Sequence, residues 1–209
     1  MADLATLKSA IESGDRSTAV AIVRASIEEG LDPRTILSAM TAAMEVVGDR
    51  YQRNEIFIPE MLVAARAMKE SMAFLEPVLI GAGIHPEFTA VIGTVRGDLH
   101  DLGKNLVAMM WRGANIDVID LGINVPPQRF AEAAREHDAR LVGVSALLTT
   151  TMPQMRDVVA AVRAVAPPNT RIIVGGQSIT AEYAREIGAD AYAPDAAAAV
   201  DVARQVLAG

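Results

Sequence analysis

From residue 90 onward, short β-rich runs alternate with helical stretches, and this alternation limits the possible folds more than any other feature. The runs are Ala90–Val95, Ile116–Leu121, Leu141–Ala146, Arg171–Val174 and a weaker Ala191–Ala193. Helical patterns fall between them near Lys104–Gly113, Gln128–His137, Met152–Ala164 and Ala181–Ile187, with a last one near Ala196–Leu207. A strand, a helix and a further strand close as a right-handed crossover, which makes the sheet parallel. Five such units predict an α/β, flavodoxin-like five-stranded parallel sheet of order 2-1-3-4-5.

Residues 1–80 follow a different pattern. Leu4, Leu7 and Ile11, then Val20, Ile22, Val23 and Ile27, recur at helical spacing. Gly14-Asp15 separates this first pair, and Gly30 follows the second helix as a C-terminal glycine. Asp32-Pro33 reads as an N-cap with proline at the first helical position, opening a helix to about Tyr51. Gln52–Ile58 is expected to be a loop. Pro59 then starts a fourth helix with Met61, Leu62, Ala65, Met68 and Met72 on one broad face, which Pro77 is expected to kink or end. The fold class expected is therefore an N-terminal four-helix bundle, residues 1–80, ahead of an α/β domain, residues 90–209. The linker, residues 81–89, reads GAGIHPEFT.

Aromatic residues make up only 4% of the chain, so its core must rest on Ala, Val, Ile, Leu and Met. The formal net charge of −7 argues against nucleic acid as a partner. The absence of cysteine removes disulfides, iron–sulfur clusters and thiolate metal sites. The start, MADLATLKSAIESGDR, lacks an apolar signal region, and no apolar run reaches membrane-spanning length. A cytoplasmic location with no membrane partner is expected.

In an open parallel sheet, ligands sit beyond the carboxyl ends of the strands, where the strand order reverses. Three unusual loops fall on that edge: Arg96–Asn105 after the first strand, Ser145–Thr151 after the third, and Gly175-Gly176 after the fourth. The first is not a Walker loop, because five residues rather than four precede its Gly-Lys and Asn105 follows. What remains is Asp-x-His-x-x-Gly. A neutral imidazole binds a metal through one ring nitrogen, and a carboxylate on the other nitrogen fixes the tautomer. Asp98 is placed to do this for His100. Alone, a histidine on a loop tip is more often solvated or capping, and no other His or Cys lies near enough in sequence for a bare zinc site. Gly175-Gly176 also suits a plain turn, Ser145 and Leu147 suit an ordinary strand end, and Thr149–Thr151 suit a helix cap. Lys104 is expected to be solvated or near a phosphate, with His85 and His137 on the surface.

Together, Asp98, His100 and Gly103, then 41 residues, Ser145 and Leu147, then 27 residues, Gly175 and Gly176, resemble the cobalamin-binding signature of corrinoid-dependent methyltransferases. The strings GDLHDLGKNLV and SALLTTTM are similar to that family as well. VGDRYQRNEIFIPEMLVAARAM resembles the helical cap that precedes the cobalamin domain in methionine synthase and in small corrinoid proteins. The resemblance implies a cobalamin or related corrinoid, bound with its lower base displaced and its cobalt ligated by His100. Asp98 would hold the other ring nitrogen, and Thr151 would hydrogen-bond Asp98. Gly97, Leu99, Asp101 and Gly103 belong to the same cofactor-binding loop. Ser145, Leu147, Thr149, Gly175 and Gly176 would line the slot for the nucleotide tail or touch the cofactor. Tyr51, Ile58 and Met61 would cover its upper face, and the linker near Gly81–Pro86 would act as a hinge.

The function so implied is a methyl carrier, methylated at Co(I) and unloaded from methyl-Co(III), with no net turnover alone. The implied partners are a substrate-specific methyltransferase, a second methyltransferase serving a folate or thiol acceptor, and a corrinoid-reactivating protein. The alternative is a cobalamin-dependent sensor or regulatory protein, which would add an output domain such as a helix-turn-helix. A flavin-binding module is disfavoured by the scarcity of aromatics, and an adenosylcobalamin mutase would need a substrate barrel.

Overall fold

A computed structural model of the chain describes residues 3–208. The chain divides into two compact units, one of residues up to Pro86 with Arg112–Asn115, the other of Glu87–Trp111 and residues from Ile116 on.

The first unit holds α1 (Leu4–Ser13), α2 (Arg16–Glu28), α3 (Pro33–Gln52) and α4 (Ile58–Gly81). An aspartate caps each of the first three. Asp3 accepts from Ala5 N, Asp15 from Thr18 N and Asp32 from Arg34 N, satisfying backbone donors that a helix start leaves free. Gly14 ends α1 with φ 75°, a left-handed turn that costs glycine little. Leu7, Ile11, Val23, Ile36, Met40, Met44, Met68 and Leu75 are buried at helical spacing. α1 packs on α2 and α3, and α4 on α2 and α3.

Two expectations for α4 need correction. Pro77 does not end the helix, which continues to Gly81. Proline removes only the bond to the carbonyl of Ala73, and both residues lie on the exposed face, so the loss leaves no buried acceptor unsatisfied. Leu75 and Leu79, buried on either side, hold the last turns in place. Leu62 is exposed rather than core-facing; Ala64, Ala67 and Ser71 take the buried positions.

The second unit contains β1 (Thr89–Thr94), α5 (Leu102–Gly113), β2 (Asp117–Asp120), α6 (Pro127–Glu136), β3 (Leu141–Ser145), α7 (Pro153–Val165), β4 (Arg171–Gly175), α8 (Ala181–Glu186), β5 (Ala191–Ala193) and α9 (Ala198–Ala208). The strands are parallel, in the order β2-β1-β3-β4-β5. Helices cover both faces, and two glycines let them approach. Residues Ala90, Ile92, Leu141 and Gly143 share one face by register. A Cβ on Gly143 would lie 2.7 Å from the Trp111 ring, which rests there and donates from Nε1 to Ala199 O at 2.9 Å. On the opposite face a Cβ on Gly93 would lie 2.8 Å from the Phe130 ring. Phe130 joins Val91, Val142, Val144, Ile172, Val174, Met155 and Val158 in one buried cluster beneath α6, α7 and α8. The order reverses between β1 and β3, so the loops following these two strands meet at one edge of the sheet.

Candidate functional site

The loops after β1 and β3 meet at Asp98. Its side chain is fully buried (0% exposed), and donors surround it. Asp98 Oδ1 accepts from the backbone N–H of His100 at 3.1 Å and lies 2.7 Å from His100 Nδ1. Oδ2 accepts from Leu147 N at 2.8 Å, Leu148 N at 3.3 Å and the Thr151 hydroxyl at 2.7 Å. Burial by itself raises the pKa of this carboxyl. Hydrogen bonds from the Thr151 hydroxyl, the His100 and Leu147 N–H groups and the His100 ring outweigh that penalty and hold it well below the usual carboxylate range.

An ionised carboxylate only accepts, so the proton of a neutral His100 ring resides on Nδ1. Nε2 then keeps its lone pair. The ring is half exposed, with 51% of the side chain accessible, so it stands out from the sheet edge as a fixed, single-nitrogen donor. The Thr151 hydroxyl also lies 2.9 Å from Leu148 O, but its one proton favours the charged acceptor. Replacing Thr151 with valine keeps the shape and removes that donor. An unfolding free energy lower by about 2 kcal/mol is expected in urea titrations, with Thr151→Ser within about 1 kcal/mol of the parent.

The other residues expected at the site fall into three groups. Gly97 has φ 82°, Gly103 has open space where a Cβ would point, and Leu99 is exposed at 66%. Asp101 accepts from Asn105 Nδ2 at 3.1 Å at the start of α5. Ser145 ends β3, and Thr149 is exposed on the following turn. The need for glycine at Gly175 and Gly176 is met within the chain itself. A Cβ at Gly176 would fall 1.9 Å from Ala146 O, and one at Gly175 would fall 3.0 Å from Ala193 O. Tyr51 at the end of α3 and Ile58 at the start of α4 are half-buried, and Met61 is buried; all three belong to the helical unit.

Several residues around this edge give no local sequence signal. Lys104, expected in solvent or near a phosphate, is only 3% exposed. Its Nζ donates to both Asp120 oxygens at 2.7 Å and to Asn105 Oδ1 at 2.6 Å. The correction follows from topology, because parallel pairing of β1 with β2 brings the end of β2 beside the first turn of α5. Thr94, also buried, donates to His100 O at 3.0 Å. Ser178 donates to Leu147 O at 2.9 Å, tying the Gly175-Gly176 loop to the residue whose N–H holds Asp98. Leu102 at the start of α5, Ile123 on the loop after β2 and Leu148 on the loop after β3 join Leu99 as exposed large apolar side chains.

Among the described residues no group of three or more His, Cys, Asp or Glu side chains is placed to hold a metal ion. A metal taken by one imidazole therefore needs a cofactor that supplies its remaining ligands. A corrin ring does so, and it also offers a broad apolar face to the exposed leucines and isoleucine of this edge. The residues present fit that group. Among the described residues no helix is long and apolar enough to cross a membrane.

Comparison with known proteins agrees with this chemistry. A B12 binding domain family model matches residues 88–201, and a second B12 binding domain model matches residues 4–76. A corrinoid protein of Desulfitobacterium hafniense is 35% identical over 212 residues, covering 99% of this chain and 98% of its own. Dimethylamine corrinoid protein 2 of Methanosarcina acetivorans is 36% identical over 210 residues, covering 99% and 96%. Among solved structures, the methanol:cobalamin methyltransferase complex of Methanosarcina barkeri matches with a TM-score of 0.88 at 28% identity, over 99% of this chain and 80% of that one. A cobalamin-binding protein of Desulfitobacterium hafniense matches with a TM-score of 0.79 at 26% identity, over 99% of both chains. The two family models and the full-length relatives, on a chain whose buried carboxylate holds a half-exposed imidazole at the switch point of a parallel sheet, show that this chain belongs to the B12-binding corrinoid proteins.

Proposed function

We propose that this chain is the methyl carrier of a corrinoid-dependent methyltransferase system, in which His100 would hold the cobalt of the corrinoid. The observation that carries the reading is the Asp98–His100 pair: a buried carboxylate lies 2.7 Å from Nδ1 of a half-exposed ring, which assigns the proton to Nδ1 and leaves Nε2 its lone pair. When bound, the corrinoid supplies a cobalt centre that takes a methyl group from one substrate and gives it to another.

The chain's own residues bind, orient and shield. Thr151 and the Leu147 N–H keep Asp98 ionised and in place, so the imidazole keeps one tautomer and one direction. Leu99, Leu102, Ile123 and Leu148 give the ring an apolar bed. Gly97 and Gly103 keep the ligand loop slim, and Asp101 steadies the start of α5. On the resemblance, Ser145, Leu147, Gly175 and Gly176 are assigned to the tail slot and Thr149 to a contact with the cofactor. Tyr51, Ile58 and Met61 are assigned, on the resemblance, to shielding the cofactor's other face.

Loading would use a substrate-specific methyltransferase and unloading a second one with a folate or thiol acceptor, as the resemblance implies. A corrinoid-reactivating protein, supplied with a reductant, would keep the bound cofactor competent. The relatives' names point to methylated amines and methanol as the first donors to test. Mixed with hydroxocobalamin and passed through a desalting column, the protein should retain corrinoid in a one-to-one ratio. Reduced to Co(I) with titanium(III) citrate and given dimethylamine, trimethylamine or methanol, it should show no methyl transfer alone and become methylated once the matching methyltransferase is added. A colourless protein after the column would end the corrinoid reading, and retention without methylation by any such enzyme would favour a regulator.

A further inference from the structure

The loop carrying His100 is gripped from two sides, and only one grip serves the function described above. The second comes from the loop between β2 and α6. Thr94 N donates to Gly122 O at 3.0 Å, and Val125 N donates to Thr94 O at 2.9 Å. Asn124 N donates to Asp98 O at 3.1 Å, and Gly97 N donates to Asn124 Oδ1 at 2.8 Å. Asn124 thus holds the residues on either side of the Gly97–Asp98 peptide through its backbone and its side chain. It does so at φ 55°, a left-handed conformation that asparagine tolerates better than other non-glycine residues.

Four residues beyond His100, Lys104 ties the first turn of α5 to Asp120 at the end of β2. Asp120 Oδ1 also accepts from Gly122 N at 2.9 Å, in the same loop. Burying an ammonium group costs free energy that the ion pair largely offsets, so such a pair adds little stability but does fix geometry. A carboxylate can transmit its position to an imidazole only if its own backbone is held. Asp98 N donates to Val95 O at 3.1 Å, and Asp98 O is taken by Asn124.

We propose that the β2–α6 loop is a second clamp on the ligand loop, with Asn124 and Lys104 as positioning residues that set how His100 reaches the cobalt. The proposal rests on the corrinoid reading of His100. A metal-bound imidazole tolerates little misplacement, and the supporting shell of a site sets its precision.

The test uses the full chain labelled with [15N]histidine, loaded with hydroxocobalamin and reduced to Co(II). Electron paramagnetic resonance then reads the axial nitrogen directly, because 15N from the protein gives a doublet where the cofactor's own base gives a triplet. Asn124→Gly keeps the left-handed backbone and removes Oδ1, Asn124→Asp keeps an acceptor, and Lys104→Met removes the charge from α5. Asn124→Gly and Lys104→Met should each lower the equilibrium constant for histidine ligation about tenfold, and Asn124→Asp should retain the parent doublet. A merely structural role would lower the melting temperature without changing the spectrum. A parent-like doublet in both Asn124→Gly and Lys104→Met overturns the proposal, as does an Asn124→Asp spectrum as altered as that of Asn124→Gly. Should Asn124→Gly fail to fold, Lys104→Met decides by the same criterion. A missing doublet in the unmodified protein would instead overturn the role of His100 itself.

Discussion

Alanine at position 100 is expected to leave the protein folded and to weaken corrinoid retention by more than about a hundredfold, beyond the ten- to hundredfold typical of losing a supporting residue. His100 is half exposed, and its ring makes one hydrogen bond, through Nδ1 to Asp98. Asp98 Oδ1 would still accept from the residue 100 backbone N–H. The apo protein should therefore lose about 1 kcal/mol or less of stability. Equilibrium dialysis against hydroxocobalamin measures the affinity, and the absorption spectrum shows whether a protein nitrogen still ligates the cobalt. Unchanged affinity together with an unchanged spectrum would take His100 out of the site.

Asp98→Asn should reverse that pattern, damaging the apo protein as well as the holo form. One carboxylate serves five donors: two from His100, the backbone N–H groups of Leu147 and Leu148, and the Thr151 hydroxyl. An amide has a single acceptor oxygen, so either orientation turns its NH2 toward buried donors. Stranded donors cost about 1–3 kcal/mol each, and a loss of about 3 kcal/mol in urea-induced unfolding is expected at neutral pH. The effect also has a pH signature. The Asp98 carboxyl is depressed from its ordinary value of 3.8, so its stabilisation is complete above that pH and declines as the pH falls further. The gap between parent and Asp98→Asn should be constant from neutral pH down to about pH 5 and narrow below about pH 4. In the holo form the imidazole loses its fixed tautomer, and histidine ligation should weaken ten- to a hundredfold. An Asp98→Asn protein as stable as its parent at neutral pH would show that the carboxylate is not the centre of this loop.

What was legible in the sequence followed from short-range rules. Each strand of the sheet lies within a residue or two of its β-rich run, and the predicted strand order is the observed one. The aspartate cap at Asp32, the helix-ending Gly30 and the break at Gly14-Asp15 were readable because capping and turn chemistry act over a few residues. Asp98 and His100 were readable because their link spans only two positions. Pro77 misled because the cost of a proline in a helix depends on whether the lost acceptor faces water, which the local pattern does not carry. Leu62 misled because α4 meets its neighbours on a face centred on Ala64, Ala67 and Ser71, so small residues rather than the largest mark the contact. The contact that excludes a side chain at Gly176, with the carbonyl of Ala146 some thirty positions away in the chain, was not legible, because it forms only when β4 lies beside β3.

The sequence by itself determined the alternation of strand and helix, the sheet that this alternation closes, and the identity of the imidazole and carboxylate on its first loop. Tertiary structure alone decided what surrounds that pair: Leu147 and Thr151 reach Asp98 because β3 lies beside β1, and Lys104 is buried because Asp120 arrives at the end of β2. The physical reason is range. Hydrogen-bond caps, turns and periodicity are satisfied within a few residues, whereas the partners of a buried charge are set by which strands become neighbours, and that is known only when the sheet has closed.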